Sequence, residues 1–385
     1  MKKFFCTDRL SKFLKLAFII LFAAIFVFSC TEINGPVERQ ITLEDKIGQM
    51  ILVGFRGLQL TGDEQIIRDI RLGRVGGVVL YDRDVALQSD SRNILSPGQL
   101  KSLTSTLQSA AQIPLFIAID QEGGRVNRLK EKFGFPASVT QQYLGDLNNP
   151  DSTKFYEDRT ANTLASVGIN LNFAPVVDVN INPQSPAIGA IGRSFSADPK
   201  IVYNNASIVI TSHHQKNILT SLKHFPGHGS AASDSHLGFT DVSSTWQQAE
   251  LEPYKNLINN GYNDFIMTAH IFNANLDPDY PATLSKKIMT GILREQLHFK
   301  GVIISDDMGM GAITTQYGLQ TAVEKSIEAG VDVLLFANNL SYDEHIAEKV
   351  IAIIKSMIDA GKIEENRINE SYKRIIDLKR NFGLF

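Results

Sequence analysis

Cysteine is almost absent from this chain of 385 residues: there are two, Cys6 and Cys30. Both lie near one end, so no disulfide framework can hold the fold and a packed core has to. A membrane-spanning run is missing as well. The apolar stretch Leu16 to Phe28 has 13 residues, short of the ~20 that a spanning helix needs. Charge of one sign is scarce. A net charge of −3 gives no basic field, which argues against a nucleic-acid partner. No G-x-G-x-x-G follows the first strand-like run, and this weighs against a doubly wound nucleotide-binding sheet, the competing fold. Neither an internal repeat nor a shift in composition marks a second folded domain.

What is present begins with a separable N-terminus. Lys2, Lys3, Arg9, Lys12 and Lys15 precede the apolar run, the order of a secretory signal. The run ends in Val27-Phe28-Ser29-Cys30, which resembles a bacterial lipobox. That resemblance implies a lipoprotein signal peptide over 1–29, lipidation at Cys30, and a tether over 30–40. Three acyl chains exceed the two hydrophobic signals that stable anchoring takes. The expected location is the cell envelope, lipid-anchored to a bacterial membrane. A plain N-terminal anchor helix is the alternative.

From Ile41 onward, short apolar runs alternate with helix-length segments. The runs are Met50–Phe55, Val78–Tyr81, Pro114–Asp120, Leu171–Val177, Ile218–Leu222, Phe265–Thr268, Val302–Ser305 and Val331–Phe336. Continuous apolar strands alternating with helices predict a parallel sheet covered on its outside. Eight such units predict an α/β fold, a single-domain (β/α)8 TIM barrel over 41–385. Helices are expected near 63–71, 100–111 (after a turn at Pro97-Gly98), 154–167, 201–216 and 363–378. Polar residues end most of the strands, where barrels of this kind keep their chemistry.

The densest such stretch is Ser221 to Phe239, SLKHFPGHGSAASDSHLGF. Its glycines and proline exclude a regular helix, leaving a strand ending in Lys223-His224 and a polar loop carrying Asp234-Ser235-His236. Asp306 follows the apolar run 302–305, and a carboxylate held at a strand end can attack an anomeric carbon. It could equally cap the following helix. Asp307 is expected to point another way, since side chains alternate along an extended segment. Asp234 could orient the His236 imidazole, or simply bond its own backbone in a turn. Glu122 is a rival acid. Asp178 and His270 are expected to line the pocket.

D-Q-E-G-G-R-V, K-H-F-P-G-H-G, D-S-H, M-T-A-H and S-D-D-M occur in that order. Together they resemble the β-N-acetylglucosaminidases of glycoside hydrolase family 3. The resemblance implies a retaining β-N-acetylhexosaminidase that removes terminal β-linked GlcNAc from a glycan or muropeptide through a covalent glycosyl-enzyme intermediate. It implies Asp306 as nucleophile, His236 as acid/base and Asp234 as its partner. Asp120, Arg128, Arg193, Lys223 and His224 match the family's sugar contacts. No cofactor and no metal is implied. Rival readings are a β-glucosidase or an N-acetylglucosamine phosphorylase on the same fold, and a lipid-anchored sugar-binding protein. A metal-dependent barrel hydrolase would use His224, His228, Asp234 and His236 as ligands.

Overall fold

The computed structural model describes residues 40–235 and 238–385. The expected signal segment, the Cys30 lipidation site and His236 therefore lie outside the described residues. Contacts divide the chain into Met1–Ile41 and Thr42–Phe385, and the fold below belongs to the second unit.

Thr42 opens it with a capping box. Its Oγ1 accepts the Asp45 N–H at 3.1 Å, and its own N–H donates to Asp45 Oδ2 at 2.9 Å, satisfying two of the amides a helix start leaves unpaired. The helix α1 (Leu43–Gln49) leads to β1 (Ile51–Gly54), α2 (Gln65–Arg71), β2 (Gly77–Leu80), α3 (Pro97–Ala110) and β3 (Phe116–Ile119). Then come α4 (Gln141–Leu147), α5 (Pro150–Ser166), β4 (Leu171–Asn172), α6 (Pro199–His214) and β5 (Leu219–Phe225). The second half holds β6 (Thr240–Asp241), α7 (Glu252–Asn259), β7 (Phe265–Thr268), β8 (Ile271–Phe272) and a π-helical segment, Lys287–Gln296. It ends with β9 (Val302–Ile304), α8 (Gly311–Thr314), α9 (Gly318–Ala329), β10 (Leu334–Phe336), α10 (Ile346–Asp359) and α11 (Glu365–Asn381).

Eight strands pair in the order β10-β1-β2-β3-β4-β5-β7-β9, all in parallel. The ends of that row meet: Ile304 bridges Val333 in parallel, and the Ser305 and Val333 amides donate to Val333 and Ile303 carbonyls at 2.9 and 3.0 Å. The barrel is closed, as eight apolar runs predict, and closure leaves no strand edge to protect. Every residue of these eight strands is buried, which is why the runs read as continuously apolar. At the end of β1, beside the chain that follows β10, Gly54 has to be glycine: a Cβ there would meet the Ala337 carbonyl oxygen at 1.9 Å. The short pair β6–β8 stands apart from the barrel, and sequence reasoning did not foresee it.

The helix starts differ from expectation for one physical reason. Pro97 is the first residue of α3, with Ser96 Oγ accepting the Gln99 N–H at 3.2 Å. Pro150 and Pro199 open α5 and α6 in the same way, capped by Asn149 and Asp198. Proline's fixed φ and missing N–H suit the first helical position, so what reads as a turn at 97–98 is the helix's first turn.

Glu157 of α5 is buried, has no hydrogen-bond partner among the described residues, and is pushed up to about 8, by burial first and by the neighbouring Asp158 charge second. A raised acid binds its proton more tightly folded than unfolded, so between pH ~4.5 and ~8 its contribution to stability falls as pH rises. Glu157→Gln is therefore expected to be more stable than wild type at pH 8, by roughly 2 kcal/mol or more, and indistinguishable near pH 4. Melting temperatures across that range check it; an equal offset at both ends would refute the linkage.

Candidate active site

One cavity of about 320 Å³ opens at the strands' C-terminal ends. It is lined by Asp120, which follows β3, by Lys223 and His224 of β5, and by Arg128 and Arg193 from the loops after β3 and β4. Asp234 from the loop after β5, and Asp306 and Asp307 after β9, complete its charged wall. The seven described residues that the resemblance matches to catalysis or sugar contact thus line the same cavity. His236 lies outside the described residues.

Successive strand residues normally alternate sides, yet Lys223 and His224 both reach the cavity. The β5–β7 register shifts between Leu222 and Phe225, and this irregularity turns both side chains inward.

The charges lock each other. Lys223 Nζ lies 2.7 Å from Asp120 Oδ1 and 2.6 Å from Glu122 Oε1. Arg193 grips Glu122 in a two-pronged pair, Nε to Oε2 at 2.8 Å and Nη2 to Oε1 at 2.7 Å. Burial works against the Glu122 charge, but Arg193 and Lys223 override it and hold the carboxyl down at about 2. A group that ionised cannot donate a proton at neutral pH, so Glu122 is a hub of the ion network and not the rival acid. Asp120 follows the same logic: burial raises it, while Lys223 and Arg128 bring it below the usual carboxylate range. Arg128 approaches Asp120 at 3.5 Å and Asp82 at 3.8 Å. Its Nε is buried with no hydrogen-bond partner among the described residues.

His224 is oriented from behind. Its Nδ1 lies 2.7 Å from Asp178 Oδ2, and its Nε2 lies 3.2 Å from Arg193 Nη2. Arginine can only donate, so Nε2 accepts and the proton sits on Nδ1, where it donates to Asp178. Asp178 is fully buried and absent from the cavity wall; it does not line the pocket as expected but aims the residue that does. Its other oxygen accepts the backbone N–H groups of His224 and His228 at 3.1 and 2.8 Å. Burial would raise this carboxyl, yet the facing His224 and these amides hold it below its ordinary value.

His270 also corrects the expectation. Buried and absent from the cavity wall, it joins Thr283 Oγ1 (2.8 Å) to the Asp307 carbonyl (3.0 Å). Thr283 in turn meets Thr268 Oγ1 at 2.7 Å, and Thr268 Oγ1 accepts the Asp306 N–H at 3.3 Å. His270 therefore braces the backbone under the acid pair. Asp306 is half-buried and does not cap a helix, since the cap of α8 is Met310. Asp307 does not turn away as alternation along a strand would have it, since the strand ends at Ile304 and both acids line the cavity; its Oδ1 accepts the Gly309 and Ala337 N–H groups at 3.0 and 2.9 Å. Asp178 and His270 both follow apolar runs, which signals their place near the cavity but not the residues they support.

The metal-ligand reading combines His224, His228, Asp234 and His236, the last of which lies outside the described residues. Among the described residues no three His, Cys, Asp or Glu side chains come together as a cation site, and His224 spends both nitrogens on Asp178 and Arg193.

A closed (β/α)8 barrel with carboxylates and locked cations around one C-terminal cavity has the build of a barrel enzyme. The profile described as "Glycosyl hydrolase family 3 N terminal domain" matches residues 42–378, and the chain belongs to that family. It is 34% identical over 330 residues to Beta-hexosaminidase A of Pseudoalteromonas piscicida, covering 79% of this chain and 53% of that protein. It is 36% identical over 294 residues to the Beta-hexosaminidase of Tolumonas auensis, covering 75% and 83%. The chain thus spans about half the length of the first relative and most of the second. The family 3 β-N-acetylglucosaminidase from Paenibacillus sp. str. FPU-7 superposes with a TM-score of 0.81 at 30% identity, over 90% of this chain and 63% of that one. The β-N-acetylhexosaminidase from Beutenbergia cavernae gives 0.78 at 27% identity, over 89% and 99%.

Proposed function

We propose that the chain is a β-N-acetylhexosaminidase that removes terminal β-linked GlcNAc with retention of configuration. The observation that carries the reading is the convergence of Asp306 and Asp234 with Asp120, Arg128, Arg193, Lys223 and His224 on one cavity. Asp120 and Lys223 have the pairing to grip vicinal hydroxyls, one accepting and one donating. Asp306 attacks the anomeric carbon as the glycosidic bond breaks, giving the glycosyl-enzyme. His236, oriented by Asp234, protonates the departing oxygen and then takes the proton of the incoming water. The relatives named hexosaminidases and acetylglucosaminidases support the sugar class.

The same proposal places the chain on a bacterial membrane through lipid on Cys30. Among the described residues no helix is long and apolar enough to cross a membrane. The test uses the full chain expressed in a bacterium. Nitrophenyl β-GlcNAc should be cleaved far faster than the β-glucoside, to free GlcNAc rather than its 1-phosphate when phosphate is present. Activity should sediment with membranes and become soluble in Cys30→Ala. Faster glucoside cleavage, or GlcNAc 1-phosphate as product, would replace the proposed activity with the corresponding rival; activity unmoved by Cys30→Ala would remove the anchor.

A further inference from the structure

Asp234 stands between two tethered serines. On one side Ser233 Oγ donates to Thr240 Oγ1 at 3.1 Å; on the other Ser235 Oγ lies 3.1 Å from His228 Nε2. His228 itself is buried and immobilised. Its backbone N–H donates to Asp178 Oδ1 at 2.8 Å, and its ring packs edge-on to His224 with centroids 5.8 Å apart. The ground beneath it is fixed too. Gly229 N–H donates to Glu250 Oε2 at 3.0 Å, the Gly229 carbonyl accepts the Asn182 N–H at 3.0 Å, and Asn182 Nδ2 holds the Ala231 carbonyl at 3.1 Å. Gly229 sits so close to Val179 that a Cβ would meet its carbonyl oxygen at 1.8 Å. The first half of the loop is thus welded to the barrel, and His228 is the point from which it reaches forward to Ser235.

We propose that His228 is a positioning residue: through Ser235 it fixes the turn that aims Asp234 into the cavity, and so sets the proton-transfer geometry of the reaction. This rests on the function proposed above. His228 is suited to be an anchor and unsuited to be an acid. Burial, and the neighbouring His224, push its imidazole down to about 4, so it is neutral at working pH, and a neutral ring nitrogen can share a hydrogen bond with a hydroxyl without bringing charge to the site. A catalytic group needs locking by supporting hydrogen bonds to within a fraction of an ångström, and a loop cannot supply that unaided.

The test separates loss of proton transfer from loss of fold. Ser235→Ala removes one oxygen, and His228→Gln keeps a polar amide in the same place. Each is assayed by kcat/KM on two β-GlcNAc substrates: a dinitrophenyl glycoside, whose leaving group departs without a proton, and an alkyl glycoside, whose leaving group needs one. Ser235→Ala should lose about tenfold or more on the alkyl substrate, within the range of general acid catalysis, and change little on the dinitrophenyl one. The double variant Ser235→Ala/His228→Ala should be no worse than His228→Ala alone, because both remove one interaction. His228→Gln should recover part of the loss. Equal losses on both substrates, or losses that multiply in the double variant, would overturn the link. Asp234→Asn serves as the control: if it fails to discriminate between the leaving groups, the reading of the site is wrong and not merely the anchor.

Discussion

Asp306→Ala is expected to lose at least about 10⁴-fold in kcat, the scale on which enzymes lose rate when a covalent nucleophile is removed. Its melting temperature should stay close to wild type, because Asp306 is half-buried and the Lys223 ion pairs that bind β3 to β5 are made with Asp120 and Glu122. The proposed role is consistent with what the other carboxylates are doing. Glu122 is held between Arg193 and Lys223, Asp120 between Lys223 and Arg128, and Asp178 lies behind His224. Asp307 spends Oδ1 on the Gly309 and Ala337 amides. Asp234 is carried on a loop between tethered serines. Asp306 follows β9 and lines the cavity, with its Oδ1 accepting the Asp307 N–H at 2.8 Å, and a strand end gives the fixed position that in-line attack requires. A fluorosugar with a good leaving group should label a wild-type peptide containing Asp306 and leave the variant unlabelled. Turnover near the wild-type rate, or label on a peptide containing Asp120 or Glu122, would transfer the role elsewhere.

The barrel was legible because its strands are buried on both faces and therefore continuously apolar, a pattern that survives without any knowledge of neighbours. All eight runs correspond to barrel strands. Helix beginnings were less legible: periodicity signals a helix by its apolar face, and the first turn of α3, α5 and α6 is written instead in Ser-Pro, Asn-Pro and Asp-Pro pairs. Those pairs follow from capping chemistry and would have moved the predicted starts of 100, 154 and 201 back to 97, 150 and 199.

In the site, which residues share the cavity was readable from their place at strand ends. What each does there was not. Glu122 and Asp120 look alike in the sequence as acids beside glycines or after a strand, and only the positions of Lys223 and Arg193 show that Glu122 is locked. Asp178 and His270 were assigned to the pocket wall because they follow apolar runs, yet each faces a neighbouring strand's functional residue. A strand end places a residue near the cavity without saying whether it points in, sideways or behind.

That distinction gives the second large effect, at Asp178. Asp178→Asn keeps shape and volume but replaces one acceptor oxygen by a donor. If the amide oxygen keeps the His224 and His228 backbone N–H groups, now accepted at 3.1 and 2.8 Å, its NH2 faces the Nδ1–H of His224. Moving the imidazole proton to Nε2 relieves that contact and creates another, because Arg193 Nη2, 3.2 Å away, also donates. Flipping the amide turns its NH2 toward the two backbone amides. Every arrangement leaves two donors opposed in a fully buried place, which costs about 3 kcal/mol or more. His224 should also lose its fixed ring orientation, lowering kcat/KM by about 10²-fold through mispositioning of the sugar. Thermal unfolding and kcat/KM on the dinitrophenyl and alkyl glycosides check both parts. A variant as stable and as active as wild type would mean that the buried carboxylate does not set the tautomer, and that His224 takes its orientation from Arg193 alone.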